Sequence, residues 1–163
     1  MQIFILHKDV NINAQFYVDK HVVKILTELC QIISTVYRKN VPDSWIPDFI
    51  FKSTHEKHPC VLWCGKNISN FCYCIELAEA LYNEYQYRYN KPEKHTRAKQ
   101  IINYFKMVIP SLPCEPISPF AQAIPEQYKS DDAIESYREY YRKEKRHLFK
   151  WTKRPIPEWI NRK

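Results

Sequence analysis

Apolar side chains recur every three or four residues through two long stretches of the sequence, which is the spacing of one face of an α-helix. The first stretch, from about Asn13 to Arg38, places on that face Val18, Val22, Ile25, Leu29, Ile32 or Ile33, and Val36. The second, from Asn67 to Tyr89, places there Phe71, Ile75, Ala78, Leu81, Tyr85 and Tyr89. The pattern predicts two long amphipathic helices, with Asn11 or Asn13 as the N-cap of the first.

Shorter elements are predicted around these two helices. The apolar opening from Ile3 to Leu6 has the character of a short strand. A loop follows the first helix, and His58, Pro59 and Trp63 lie in a further loop or a short helix. A third, shorter helix is predicted from near Glu93 to Met107.

The region from Pro110 to Pro125 holds five of the eleven prolines, and proline lacks the backbone donor that a helix interior needs. We expect an ordered extended connection here, because the region has apolar residues to anchor it, namely Ile109, Leu112, Ile117 and Phe120. After it, Ser130 is the predicted N-cap of a fourth helix from about Asp131 to Phe149.

Together these elements predict an all-α fold. Residues 1–163 are expected to form a single compact domain of about four main helices, two of them long. Residues 110–128 are the Pro-rich connection, and residues 130–163 are a basic aromatic helix and tail.

Composition narrows the class of protein. Apolar residues make up 45% of the chain and aromatic residues 15%, which excludes a disordered protein. A single glycine excludes the Gly-rich phosphate loops of Rossmann and P-loop proteins. The first residues are too polar for a signal sequence or a membrane span, so we expect a cytoplasmic, intracellular protein with no membrane partner and with six reduced cysteines.

The net charge of +7 belongs entirely to the C-terminal segment. Residues 137–163 hold ten Lys and Arg against three acidic residues, whereas the first 136 residues hold fifteen of each. Six aromatic residues are interleaved with these cations: Tyr137, Tyr140, Tyr141, Phe149, Trp151 and Trp159. Cations neutralise phosphates and aromatic rings stack on exposed bases, so this segment predicts contact with nucleic acid.

The candidate contacts in this segment are Arg138, Arg142, Lys145 and Trp151. The alternative is an amphipathic helix whose aromatic side chains face the core while its cations cover a solvated side.

The polar face of the first long helix carries the most informative cluster. The residues His21, Lys24, Glu28 and Gln31 are spaced so that they form one stripe opposite the apolar face. A carboxylate such as Glu28 within reach of a cation and a titratable ring is suited to acid–base catalysis. The alternative is an ordinary surface ion pair between Lys24 and Glu28, with His21 bonded to a neighbour.

Several short motifs follow one another in a defined order. They are Asp19-Lys20-His21-Val22-Val23-Lys24, then Glu28, Gln31 and Ile32, then His58-Pro59 and Trp63, and then a helix with a Leu-x-x-Glu-Tyr ending. In this order and spacing the chain resembles the pyrimidine-dimer DNA glycosylase (endonuclease V) family and its uncharacterised relatives in phages and bacteria. The resemblance covers roughly residues 1–105, and the C-terminal tail is similar in character to the family's.

The resemblance implies an all-α enzyme that binds damaged duplex DNA. In this family the N-terminal α-amine attacks C1′ of a dimer nucleotide, an imine forms, and a Glu on the first long helix serves the lyase step. Glu28 is the matching position here, Met1 carries the amine, and Asp19 and His21 match the family's Asp-x-His pattern. An α-amine is less basic than a lysine side chain, so more of it is available as a nucleophile at neutral pH.

Four positions depart from the family's pattern. The family's nucleophile is a Thr exposed by removal of Met1, whereas here the bulk of Gln2 disfavours that removal. The arginines that line the family's DNA site correspond to Ile3, Thr27 and Gln31. These departures concern the chemistry rather than the fold. The chain can share the family's fold without sharing its glycosylase chemistry.

Further candidates have weaker signals. His58 is either part of the site or the cap of a helix start. Arg97 belongs to the basic segment Lys91 to Lys99, which is either a backbone clamp or a solvated helix face. Four cysteines cluster at spacings unlike a zinc knuckle, which favours buried thiols over a metal site: Cys60, Cys64, Cys72 and Cys74. No metal and no cofactor is expected.

The leading hypothesis is a DNA-acting enzyme of the glycosylase and AP-lyase type, which exposes a pyrimidine nucleotide by flipping it and acts on that nucleotide or its deoxyribose. The alternatives on the same fold are a nucleotide- or base-modifying enzyme without imine chemistry and a non-catalytic binder of nucleotide or nucleic acid. DNA is favoured over RNA as the partner, and the pattern predicts no particular oligomeric state.

Overall fold

A computed structural model describes residues 1–161, and within them it contains six α-helices and no strand. The helices are α1 Val10–Phe16, α2 Asp19–Asn40, α3 Pro59–Cys64, α4 Ile68–Tyr89, α5 Thr96–Phe105 and α6 Ala133–Glu144. Short 3-10 turns lie at Asp43–Trp45, Glu126–Tyr128, Arg146–Leu148 and Glu158–Asn161. The predicted all-α class is confirmed, although helices outnumber the four main ones expected.

The opening segment from Ile3 to Leu6 has no regular secondary structure, so the predicted short strand is wrong. Side chains take the place of a neighbouring strand: the Phe4 N–H donates to the Tyr17 hydroxyl at 2.9 Å, and that hydroxyl donates to the Phe4 carbonyl at 2.6 Å. The Leu6 N–H donates to Asn13 Oδ1 at 2.7 Å. Asn13 is therefore a buried clamp rather than an N-cap, and Asp9 caps α1 instead.

The first long helix of the prediction is two helices. Tyr17 and Val18 have extended backbone between α1 and α2, and the Asp19 N–H donates to the Lys150 carbonyl at 2.9 Å. This bond comes from the C-terminal tail, so it is absent from any local pattern. The apolar periodicity runs through the break because both helices pack on the same core.

α2 packs against α4, and this pair forms the centre of the core. α4 matches the prediction, because the Asn67 side chain accepts from the Asn70 N–H at 2.8 Å and Asn90 ends the helix in the left-handed region at φ 48. His95, with φ 57, precedes α5 and delays its start to Thr96, so this helix is shorter than expected.

The Pro-rich connection has no α-helix, as predicted, and it is anchored from both sides. The Trp63 indole N–H donates to the Pro119 carbonyl at 2.8 Å. Asn70 donates to the Ser118 hydroxyl at 2.7 Å and accepts from the Ser118 N–H at 3.0 Å. These bonds hold the connection against α3 and the start of α4.

α6 is shorter than predicted and has a different cap. Asp132, rather than Ser130, accepts from the Ile134 and Glu135 amides, and the helix ends at Glu144. Its buried residues Tyr137 and Tyr141 pack on the opening segment and on α2 through Phe4 and His21. None of the helices in residues 1–161 is long and apolar enough to cross a lipid bilayer.

Candidate active site

The α-amine of Met1 and the carboxylate of Glu28 face each other. The amine nitrogen lies 3.8 Å from Glu28 Oε1, and Lys24 Nζ lies 3.5 Å from the same oxygen. Lys24 and Glu28 are one turn apart on α2, so the helix itself sets their spacing. We call Met1, Lys24, Glu28 and the nearby His58 the amine site.

The residues of the amine site differ in how far they are exposed to solvent. The Met1 side chain is 2% exposed while the residue as a whole is half-buried, so its accessible surface lies on main-chain atoms, which include the amine. The Glu28 side chain is 13% exposed and that of Lys24 is 69% exposed. Lys24 is therefore the more exposed of the two charged side chains, whereas the carboxylate of Glu28 is largely buried.

Glu28 is only half satisfied. Its Oε1 faces the two cations, but its Oε2 is buried and has no hydrogen-bond partner among residues 1–161. Buried polar atoms are nearly always hydrogen-bonded in folded proteins, so an open acceptor at this depth is unusual. This oxygen can therefore accept a hydrogen bond from a ligand.

Gln2 holds the chain terminus in place. Its amide nitrogen donates to the Ala123 carbonyl at 2.7 Å, and its Oε1 accepts from the Tyr137 hydroxyl at 3.3 Å. Cys60 Sγ lies 3.6 Å from the same oxygen. The opening segment is thus fastened to α3, α6 and the Pro-rich connection, which fixes the direction of the amine.

His58 caps α3, as the capping alternative predicted, because its Nδ1 accepts from the Cys60 N–H at 3.2 Å. Burial lowers the pKa of His58, and the positive Met1 terminus and His55 lower it further, whereas the negative charge of Glu28 opposes them. Burial raises the pKa of Cys60 to about 12, so this thiol is not a nucleophile at neutral pH.

His21 is not part of the amine site, and the single exposed stripe was wrong. The residue is 6% exposed, its ring stacks on Phe4 at 4.8 Å, and its Nδ1 lies 2.5 Å from the Tyr141 hydroxyl. Burial lowers the pKa of His21 to about 3, and the charges of Lys145 and Lys24 contribute. α6 covers this part of α2. The spacing of polar residues along a helix does not show which of its turns a later helix will cover.

No family model, no curated protein and no solved structure matches this chain. The resemblance to the pyrimidine-dimer glycosylase family therefore stays a prediction. The function is therefore inferred from the geometry of the amine site.

The remaining predicted contacts are Lys20 and Gln31, about one helical turn before Lys24 and after Glu28 on α2, and Arg97 on α5. Lys20 is exposed and has no ion pair within residues 1–161, and Gln31 is half-buried further along α2. Arg97 donates to the Phe49 carbonyl at 2.8 Å and lies over the Phe51 ring at 4.1 Å, so it fastens α5 to the loop after α2.

The predicted tail contacts have structural partners. Arg138 donates to the Leu6 carbonyl at 2.9 Å, and Arg142 pairs with Glu139 at 2.6 Å. Lys145 lies over the Tyr140 ring at 4.9 Å. Trp151 is 8% exposed and its indole N–H donates to the Phe16 carbonyl at 2.9 Å, so its ring offers little surface for a base.

The sequence reasoning missed a buried ionic network that ties the tail to the helices. Arg88 pairs with Asp19 at 2.9 Å and with Glu84 at 2.7 Å. Glu84 also pairs with Arg154 at 2.9 Å, and the Thr152 hydroxyl donates to Asp19 at 2.7 Å. A signal was present, because Asp19, Glu84 and Arg88 interrupt otherwise apolar helix faces.

The cysteines form no cluster of metal ligands in the part of the chain that is described. Across residues 1–161 no group of three or more His, Cys, Asp or Glu side chains is arranged to hold a metal ion. Cys64 and Cys74 are buried and lie within hydrogen-bonding reach of each other, and burial raises the pKa of Cys74.

Proposed function

We propose that this protein is a DNA-acting enzyme of the glycosylase and AP-lyase type, with the Met1 amine as its nucleophile. One observation carries the proposal: the amine lies 3.8 Å from Glu28 Oε1, and the other Glu28 oxygen is buried with no hydrogen-bond partner among the described residues. A nucleophile next to a proton acceptor is the pairing that imine formation needs.

The first reaction joins the amine to the sugar. The neutral amine attacks C1′ of a pyrimidine nucleotide, the glycosidic bond breaks, and the base leaves with its electron pair and a proton. Opening of the sugar ring gives its oxygen the second proton of the amine, so that a C1′ imine forms. Glu28 receives and returns these protons from its place beside the amine.

The second reaction cleaves the strand. The imine makes the C2′ protons acidic, and Glu28 removes one of them, so that the 3′ phosphate leaves by elimination. Hydrolysis of the imine then frees the amine. The exposed Lys24 lies where a phosphate near the sugar would be neutralised.

The cations outside the amine site support a nucleic-acid substrate. Lys20 precedes Lys24 by one turn of α2 and is exposed. In the tail, Arg146 and Lys150 are exposed and have no ion pair among the described residues, whereas Arg142 is paired. Unpaired cations contribute more to phosphate binding because no internal partner has to be displaced.

Borohydride trapping tests the nucleophile. Protein with a free Met1 terminus, verified by mass, is incubated with duplex DNA that contains an abasic site and is then reduced. We expect a covalent crosslink that peptide mapping assigns to Met1, and its loss after selective acetylation of the terminus. Lys24→Gln is the control for the neighbouring amine: it should bind the DNA more weakly, because a phosphate contact is lost, but should still crosslink through Met1 at saturating DNA.

Glu28→Gln tests the acid–base role. Strand cleavage by this variant should fall by about 10²- to 10⁴-fold, because a positioned proton acceptor is lost. Glu76→Gln, an exposed carboxylate on α4, is the matched control and should cleave normally. The single-turnover rate on abasic duplex measures both.

Two outcomes would favour one of the alternative functions instead. Activity on a nucleotide or base that depends on Glu28 without any crosslink would favour a modifying enzyme that uses no imine. Binding without turnover, unchanged by Glu28→Gln, would favour the non-catalytic binder and leave the amine and Glu28 as an ion pair.

A further inference from the structure

A cavity lies between the end of α6 and the C-terminal tail. Its volume is about 540 Å³, within the usual range for small-ligand sites. The residues that line it are Glu139, Arg142, Lys143, Arg146, Phe149, Trp151, Ile156, Ile160 and Asn161. We call it the tail pocket, and it shares no residue with the amine site.

The tail pocket carries a net positive charge. Three cations, Arg142, Lys143 and Arg146, line it against the single carboxylate of Glu139. Glu139 pairs with Arg142 at 2.6 Å and with Lys143 at 3.7 Å. The hydrogen bond and charge of Arg142 hold the pKa of Glu139 below its usual value, so this carboxylate stays ionised at neutral pH. Arg146 is exposed and has no ion pair within residues 1–161.

The rest of the lining is apolar and aromatic. The Phe149 and Trp151 rings lie 5.0 Å apart, and Trp151 is fixed by its bond to the Phe16 carbonyl. Ile156 is 58% exposed at the edge of the pocket. A flat apolar group that enters would therefore contact Phe149 and Ile156 while its charged end meets Arg146.

Three other cavities within residues 1–161 lack this combination. The cavity at Lys8 also has Asp131 and Asp132, and the one at Lys39 has Glu56. The cavity at Arg138 and Trp159 has Glu158 and therefore no excess cation. Net positive charge together with an aromatic wall distinguishes the tail pocket.

We infer that the tail pocket binds a nucleoside monophosphate unit, with the phosphate on Arg146 and the base against Phe149 and Ile156. Arginine suits phosphate because its charged donors match the phosphate oxygens. Aromatic contact supplies affinity for any base, since every base has a flat face. The unit is either a free nucleotide or a single nucleotide exposed in a strand.

Isothermal titration with dTMP tests the pocket. We expect saturable binding that Arg146→Gln weakens by at least about tenfold, the effect of one charge-assisted hydrogen bond. Ile156→Glu should weaken it similarly, because it adds a negative charge at an exposed position that costs the fold little. Lys94→Gln, an exposed lysine outside the pocket, is the matched control and should bind normally.

Further titrations separate the sources of the ligand. An oligo-dT that binds more tightly than dTMP and is displaced by it would identify a nucleotide within a strand, and the reverse order would identify a free nucleotide. The absence of saturable dTMP binding, or equal affinity in the wild type and both pocket variants, would overturn the inference. Inorganic phosphate that competes as well as dTMP would also overturn it, because the base would then contribute nothing.

This inference does not depend on imine chemistry. Loss of dTMP binding in Ile156→Glu with an intact Met1 crosslink would support the pocket and leave the proposed function standing. A crosslink that fails while dTMP still binds would reject the proposed nucleophile alone.

Discussion

Asp19 and Glu28 are carboxylates on the same helix, and each faces a cation, yet their surroundings differ. Asp19 accepts from Arg88, from the Thr152 amide and from the Thr152 hydroxyl, all between 2.7 and 2.9 Å. Glu28 has two cations at 3.5 and 3.8 Å from one oxygen, and its other oxygen has no hydrogen-bond partner in the part of the chain that is described. Both oxygens of Asp19 are hydrogen-bonded, so we call this carboxylate saturated. One oxygen of Glu28 has no such partner within residues 1–161, so we call this carboxylate open.

The difference follows from what packs on each end of α2. The tail crosses the start of the helix and brings Thr152 and Arg154 into a closed network with Arg88. Near Glu28 the cations are Lys24 and the Met1 terminus, with His58 at the start of α3 close by, and no residue of 1–161 bonds to Glu28 Oε2. A saturated buried network specifies a structure, whereas an open acceptor beside an amine is available for chemistry.

The largest effect is expected from breaking the saturated network. Arg88→Met removes the shared partner of Asp19 and Glu84 and leaves both carboxylates under-compensated in the interior. The free energy of unfolding should fall by about 3–5 kcal/mol, the usual cost of breaking a buried ion pair from one side. Urea denaturation followed by circular dichroism measures it.

Arg97→Met is the matched control, because this exposed arginine bonds one carbonyl and covers one ring. Its effect should stay within about 1 kcal/mol. Equal losses of unfolding free energy in the two variants would mean that the network stabilises the fold no more than a surface contact does. Asp19 could then not be called a structural carboxylate in contrast to Glu28.

Asp19→Asn should cost less, about 1–3 kcal/mol near neutral pH, because the amide keeps the shape but loses a charge-assisted bond. Burial alone would raise the pKa of Asp19, but the Thr152 and Arg88 bonds outweigh it and lower the pKa. The lowered value means that this stabilisation is present above pH ~4 and is lost as pH falls below it. The gap between wild type and variant should therefore close in acid, and a constant gap down to pH ~2 would contradict the assignment.

His21 adds a separate acid dependence at higher pH. It stays neutral in the fold down to pH about 3, whereas the unfolded chain takes up its proton near pH ~6.5. Stability should fall by up to about 1.4 kcal/mol per pH unit below that point. His21→Gln should flatten this slope, and His55→Asn, which alters an exposed ring in the loop before α3, should leave it in place. Chemical denaturation between pH 5 and pH 7 measures both slopes.

The fold was predictable where local pattern and tertiary packing agree. α4 follows its apolar spacing and its Asn67 cap, and the prolines exclude helix from the connection. The break before Asp19 was not predictable, because it depends on a bond to Lys150. The burial of His21 likewise depends on Tyr141, which lies 120 positions away.

The candidate site was predictable only in part. The spacing of Lys24 and Glu28 places both on one face of α2, and the resemblance suggested an amine beside Glu28. No periodicity brings Met1 there, because the terminus is held by Gln2 through Ala123 and Tyr137. These contacts join residues more than a hundred positions apart, so they become visible only in the folded chain.

The smallest effect on stability is expected at Glu28, the open member of the pair. Glu28→Gln removes two long ion pairs, one of them to the largely exposed Lys24, and such pairs contribute about 0–1 kcal/mol. It also removes a charge whose second oxygen has no hydrogen-bond partner within residues 1–161, which offsets part of that loss. The unfolding free energy should change by less than about 1 kcal/mol, while strand cleavage falls by the factor given above. A loss above about 2 kcal/mol would mean that Glu28, like Asp19, is a structural carboxylate, and reduced cleavage would then reflect a damaged fold.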